Sequence, residues 1–208
     1  MTVVTDRPLR ADAARNADRI LRAARDIYAE LGPDAPLDAI ARRAGVGERT
    51  LYRRFPTKGE LARAVIDQRI AETLSPVIGR ALRSRNPLRG LAKLIEAAVA
   101  LGAREHNVLT AARKNGSLAD VSVQLDAALA ELTRRAQEAG LVRADLVADD
   151  LPRMVAMLYS VLATMDPASD GWQRYVALMI DAISTSNPSR LPRPVPIQYA
   201  QPLEEWPV

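Results

Sequence analysis

Seven basic side chains, Arg42, Arg43, Arg49, Arg53, Arg54, Lys58 and Arg63, fall within residues 36–63 against three acidic ones, Asp38, Glu48 and Glu60. The resulting +4 equals the net charge of the whole 208-residue chain, so the remainder is electrically balanced. Guanidinium forks and an ammonium gathered in one window suit a polyanion. Arginine pairs bidentately with phosphate or with a guanine edge, and such binding weakens steeply with salt. Other chemistry is poorly provided for. The chain has no cysteine and a single histidine, His106, which excludes disulfide frameworks, zinc fingers, iron–sulfur sites and cysteine nucleophiles. A catalytic triad or a helical-bundle metal centre has to be built on that one imidazole. No glycine-framed serine precedes it, and Glu105 adjoins it instead of standing at Glu-x-x-His spacing. We therefore expect no enzyme, no cofactor and no metal.

The cationic window needs elements to present it, and its spacing supplies them. Apolar residues at steps of three and four (Ala17, Ile20, Ala24, Ile27, Tyr28, Leu31) give a helix over 13–31, stopped by Gly32-Pro33. A short helix follows Pro36 (37–44) and a second runs from Glu48 to about Arg54, with Pro56 beyond it. Two short helices joined by a glycine-containing turn outline a helix-turn-helix over about 36–55. Ala41 stands where the helices touch and only a small side chain fits. Gly45 stands where positive φ is needed, and Ile40, Ala44, Val46 and Leu51 occupy buried positions. A solvated helical face carrying chance arginines seldom meets all these requirements in 20 residues, so the window reads as a DNA-contacting surface.

The rest of the chain is helical by the same criterion. Thr57 caps a helix whose pattern continues to Leu82 across a break at Ser75-Pro76, and Asn86-Pro87 opens the next. Further helices follow around 106–114, from a capping box at Ser117 and Asp120 to Gly140, over 148–165, and over 172–183. No stretch alternates with hairpin turn signals, and the low aromatic fraction of 4% favours helices over sheets. The expected fold is all-α with about nine helices. A flexible N-terminus covers 1–12, the DNA-binding head 13–74 and a helical effector-binding and dimerisation domain 75–186. The tail 187–208 holds six of the 14 prolines and cannot be helical. No apolar run approaches the ~20 residues that span a bilayer, and MTVVTDRPLR lacks the apolar core of a signal peptide. A cytoplasmic chain with no membrane partner is expected.

The segment APLDAIARRAGVGERTLYRRFPTKGELARAVI, preceded by ADRILRAARDIYAELG, closely resembles the DNA-binding domain of the TetR family of transcriptional regulators. The likeness covers roughly residues 11–74. Beyond it the chain is similar in layout only, to a divergent all-helical domain that in this family binds effectors and dimerises. The resemblance implies phosphate contacts from Thr50, Tyr52 and Lys58. It places Glu48, Arg49, Arg53 and Arg54 on or near the recognition helix, with Arg42, Arg43 and the backbone at Gly47 beside them. Leu51 and Phe55 are read as core. Arg49 stands where the family usually has glycine or proline, and Arg54 where histidine is common, so an arginine-dependent, guanine-richer operator is expected. Pro36 replaces a usual threonine cap.

Proteins with this motif commonly read paired half-sites as dimers. The 148–165 helix is apolar on two faces, so Met154, Val155, Leu158 and Leu162, with Trp172, Tyr175 and Met179 from the last helix, form the expected dimer interface. The expected effector pocket is lined by Leu94, Ala98, Leu101, His106, Leu125, Met157, Tyr159 and Ser160, and suits a small apolar or amphipathic ligand. The chain therefore reads as a homodimeric repressor of a palindromic operator, released by a small molecule. A ligand-independent DNA-binding protein of the same fold is the alternative.

Overall fold

The computed structural model describes residues 6–114, 123–162, 164–165 and 169–184, with backbone alone for 6–13. Every regular element among them is helical. The helices are α1 (Asp6–Leu31), α2 (Leu37–Ala44), α3 (Glu48–Arg54), α4 (Lys58–Arg69), α5 (Ser75–Leu82), α6 (Pro87–Arg104), α7 (His106–Lys114), α8 (Val123–Glu138), α9 (Asp150–Leu162) and α10 (Trp172–Ile183). A π-helical turn, Ile70–Leu74, joins α4 to α5 without a break, so the described residues form nine helical rods. The capping box at Ser117 and Asp120 and the proline-rich tail lie outside the described residues.

Local chemistry accounts for the boundaries. Thr57 Oγ1 accepts the Glu60 N–H at 3.1 Å, and Asn86 Oδ1 accepts the Arg89 N–H at 2.9 Å, so both expected caps form. The expected break at Ser75-Pro76 takes the form of the π turn just before it. Pro76 offers no N–H, and its ring crowds the carbonyl four residues back, so the helix widens and the Ser75 N–H reaches Ile70 O instead. Helix α1 begins at Asp6, earlier than the residue 13 that periodicity implies, and residues 1–5 of the expected N-terminal segment lie outside the described residues. Apolar periodicity cannot mark that first stretch. Alanine, arginine and leucine favour helix there, and Pro8 is tolerated in the first turn because its missing N–H would be unbonded anyway.

The described residues form two compact units, 6–68 with 105–114, and 69–104 with 123–184. In the first, α1 packs on α2 and α7, and α2 on α3. Ile20, Ala24, Ile27, Tyr28, Ile40, Leu51, Leu61 and Val65 make its core. Helix α7 therefore groups with the head, whereas sequence reasoning assigned it to the effector domain. It buries Val108, Ala111 and Ala112 and adds polar contacts to α1. Asn107 Nδ2 donates to Tyr28 O at 3.0 Å, and the buried Glu105 carboxylate lies 3.6 Å from Arg25 Nε. Burial without a hydrogen-bond partner pushes the Tyr28 hydroxyl up to about 12.

In the second unit α6 is the central rod, touching α5, α8, α9 and α10. Leu91, Leu94, Ile95, Ala98 and Val99 on it are fully buried, each larger side chain contributing about 1.5–3 kcal/mol. Glycines permit the close approaches. A Cβ on Gly90 would stand 2.8 Å from the Ala81 carbonyl oxygen, and one on Gly102 would strike the Tyr159 ring. The Arg135 guanidinium closes the end of α5 by donating to Leu82 O at 2.6 Å and Ser84 O at 2.7 Å.

The glycine contacts give a signed prediction. Gly90→Ala is expected to destabilise the protein by about 1–3 kcal/mol, because a backbone oxygen blocks the methyl and outweighs the ~1 kcal/mol gain in helix propensity. Gly79→Ala, where a Cβ meets only the mobile Arg83 guanidinium at 3.5 Å, is expected to stabilise by roughly 0.5–1 kcal/mol. Urea unfolding of the two variants checks the opposite signs.

Candidate nucleic-acid interface

Helix α2 begins after Pro36, whose extended backbone (φ −76°, ψ 144°) supplies no side-chain cap. It ends on Gly45 in the left-handed region (φ 64°, ψ 38°). There the Gly45 N–H bonds Arg42 O and the Val46 N–H bonds Ala41 O, both at 3.1 Å, the paired closure that a left-handed residue after a helix permits. The chain then turns through Gly47, extended at φ −68° and ψ 145°, directly into α3. Ala41, Ile40 and Leu51 are 2%, 0% and 0% exposed, so the contact is as tight as the small residue at 41 implied. Val46 is half-buried and Phe55 is core. A seven-residue helix with one buried side chain, Leu51, has little stability of its own. It is held by α2 and by the turn.

The arginines divide by partner. Arg42 is paired with Asp38 at 2.8 Å, and Arg43 donates to both carboxylate oxygens of Glu30 of α1 from Nη1 and Nη2, at 2.9 and 2.7 Å. The Arg43 hydrogen bonds hold the Glu30 carboxyl below its ordinary range. Arg49, Arg53 and Arg54 are exposed and have no ion pair among the described residues; the Arg54 guanidinium lies 5.7 Å from the centre of the Phe55 ring. Glu48 and Tyr52 are exposed and Thr50 is half-buried. Lys58 Nζ donates to Asp34 O at 2.9 Å, while the Asp34 carboxylate accepts from Lys114 of α7 at 2.9 and 3.1 Å. Sequence reasoning did not find Glu30, Asp34 or Lys114. Their partners lie 13, 24 and 80 residues away, beyond the reach of helical spacing.

The expected effector pocket is not assembled as a single lining. Leu94, Ala98 and Leu101 are core, Leu125 is half-buried against the same core, and Tyr159 lies over Gly102 with its hydroxyl donating to Ala98 O at 3.1 Å. Met157, 61% exposed, and Ser160 lie instead on the outer side of α9, and exposed His106 belongs to α7 in the other unit. Most residues of the expected dimer face turn into the core of this chain. Val155, Leu158, Leu162, Trp172 and Met179 are buried core residues, at most 8% exposed, whereas Met154 is half-buried and Tyr175 exposed. Helix α9 is apolar on two faces, and sequence periodicity does not say which one turns inward. The apolar side chains left outward are Met157 on α9 with Tyr175 and Leu178 on α10.

Residues 20–65 match the family model for bacterial regulatory proteins of the tetR family, and residues 86–184 match the model for the C-terminal domain of SbtR-like transcriptional regulators. A TetR transcription regulatory protein from Mycobacterium vanbaalenii is 33% identical over 86% of this chain and 100% of that one, with a TM-score of 0.56. This chain belongs to the TetR family. A TetR regulator from Streptomyces coelicolor, SCO0520, is similar at 29% identity over 82% of this chain and 99% of that one, TM-score 0.56. FadR of Bacillus subtilis, solved with stearoyl-CoA, shares the fold at 15% identity over 81% and 98% of the two chains, TM-score 0.66. No curated protein matches the sequence. No helix among the described residues is long and apolar enough to cross a membrane. As in other TetR regulators the head is a DNA-binding module, and Arg49, Arg53 and Arg54 of α3 have no ion pair among the described residues.

The Arg43 pair yields a test of which cations face DNA. Glu30→Gln releases Arg43 and removes a negative charge. It is expected to tighten binding to non-specific duplex DNA by about three-fold at low salt and to steepen its salt dependence. Titrations at two salt concentrations check this; unchanged binding would place Arg43 off the DNA face.

Proposed function

We propose that this TetR-family chain is a homodimeric transcriptional repressor that binds a palindromic operator through α3 and is released by a small apolar or amphipathic effector bound in its second unit. The observation that carries the reading is the exposed run Arg49, Tyr52, Arg53 on a helix whose opposite side is anchored by buried Leu51. A helix of this kind fits the major groove, with arginine forks for base edges and hydroxyls for phosphates. Thr50, Tyr52 and Lys58 take the phosphate role, and Arg42 and the Gly47 backbone stand beside them.

Dimerisation is supported by the outward apolar set Met157, Tyr175 and Leu178, which a monomer leaves in water. Effector binding is supported by the Tyr159 and Gly102 contact, where a hydroxyl-bearing aromatic ring lies on helix backbone within an apolar core. Relatives of the same fold have been solved with stearoyl-CoA and with proflavine, ligands of the proposed class. Release then follows if the effector binds the DNA-incompetent arrangement of the dimer more tightly than the competent one.

Selection of bound fragments from the source genome, followed by footprinting, tests the reading. The expected result is a protected palindrome whose two half-sites lie one helical turn of DNA, or a multiple of it, apart. Met157→Asp with Leu178→Asp is expected to give a monomer by sedimentation and to lose that footprint. Uniform protection without sequence preference would contradict the regulator reading.

A further inference from the structure

The rotation of α3 separates its arginines into different tasks. Leu51 is its only buried side chain. At about 100° per residue in an α-helix, Arg49 and Arg53 each lie within about 20° of the line opposite Leu51, one on either side of it. Tyr52 and Thr50 stand about 80° to the two flanks of that line, and Arg54 about 120° away. The two arginines are thus the side chains that project furthest from the head. Both are exposed and neither has an ion pair or hydrogen bond among the described residues, unlike Arg42 and Arg43, which are held by Asp38 and Glu30. Arg54, by contrast, is turned toward the Phe55 ring.

Four residues of helix advance about 6 Å, and base pairs advance about 3.4 Å. Side chains one turn apart on a helix in the major groove therefore reach base pairs about two steps apart. An arginine fork carries donors only. Guanine alone offers two adjacent acceptors, O6 and N7, on its major-groove edge. Adenine pairs one acceptor with a donor, thymine has one acceptor, and cytosine presents a donor. We propose that Arg49 and Arg53 each read one guanine, so that every half-site of the operator carries two G·C pairs two base steps apart, with Tyr52 and Thr50 facing the phosphate walls on either side. This rests on the reading of the chain as a sequence-specific regulator and adds the identity of the bases that it reads.

The experiment is selection from a randomised duplex pool by the full-length protein and by Arg49→Lys and Arg53→Lys. Lysine keeps the charge and loses the fork. The expected wild-type motif contains the G·C pair at that spacing in both half-sites. Each lysine variant is expected to lose about ten-fold or more of the discrimination at one of the two positions while keeping it at the other. Its urea unfolding midpoint should match that of the wild type, which shows that the variant is folded. A sharp wild-type motif without the spaced guanines would overturn the inference and leave the regulator reading standing. A lysine variant that keeps both preferences would overturn the role of that arginine. No enriched motif for the wild type would overturn the regulator reading itself.

Discussion

The burial of Leu51 is the constraint on which the interface depends. Helix α3 is seven residues long and gives the core one side chain, so the seating of that side chain sets the rotation of the whole helix. Had Arg53 and Leu51 exchanged roles, the same cations would point into the head. The left-handed Gly45 and the small Ala41 bring α2 close enough to form the seat, and Phe55 continues it beyond the helix end. Burying a leucine contributes about 1.5–3 kcal/mol. That is enough to fix a short helix that isolated in water would be unstable.

Charge is arranged around this seat more selectively than the sequence total implies. The whole net charge of +4 is matched by residues 36–63, but ion pairs withdraw part of it. Glu30 occupies Arg43, Asp38 occupies Arg42, and Asp34 links Lys58 to Lys114 through its carbonyl and its carboxylate. These exposed pairs contribute little to stability. Their effect is positional: Arg42 and Arg43 are held by carboxylates, whereas Arg49 and Arg53 of α3 have no ion pair among the described residues, and Lys114 joins α7 to the head.

Much of this was legible in the sequence. The helix-turn-helix follows from Ala41, Gly45 and Leu51, and the caps at Thr57 and Asn86 follow from local hydrogen-bonding chemistry. The features that were not legible share a physical cause, since each depends on partners distant in sequence or on a choice between two equivalent faces. Periodicity in α9 identifies two apolar stripes and cannot say that Val155, Leu158 and Leu162 turn inward while Met157 turns out. The grouping of α7 with the head brings Asn107, Glu105 and Lys114 to partners about 80 residues earlier. The first turns of α1 carry no apolar pattern, so only intrinsic propensity marks them.

The central claim is that a small, localised and partly unpaired set of cations on and around α3 binds duplex DNA. The slope of log affinity against log salt concentration for the full-length protein tests it most directly. The account predicts a linear fall with a slope of about −5 or steeper, as expected for a dimer that neutralises about six or more phosphates. Affinity that is flat across the same salt range would contradict it.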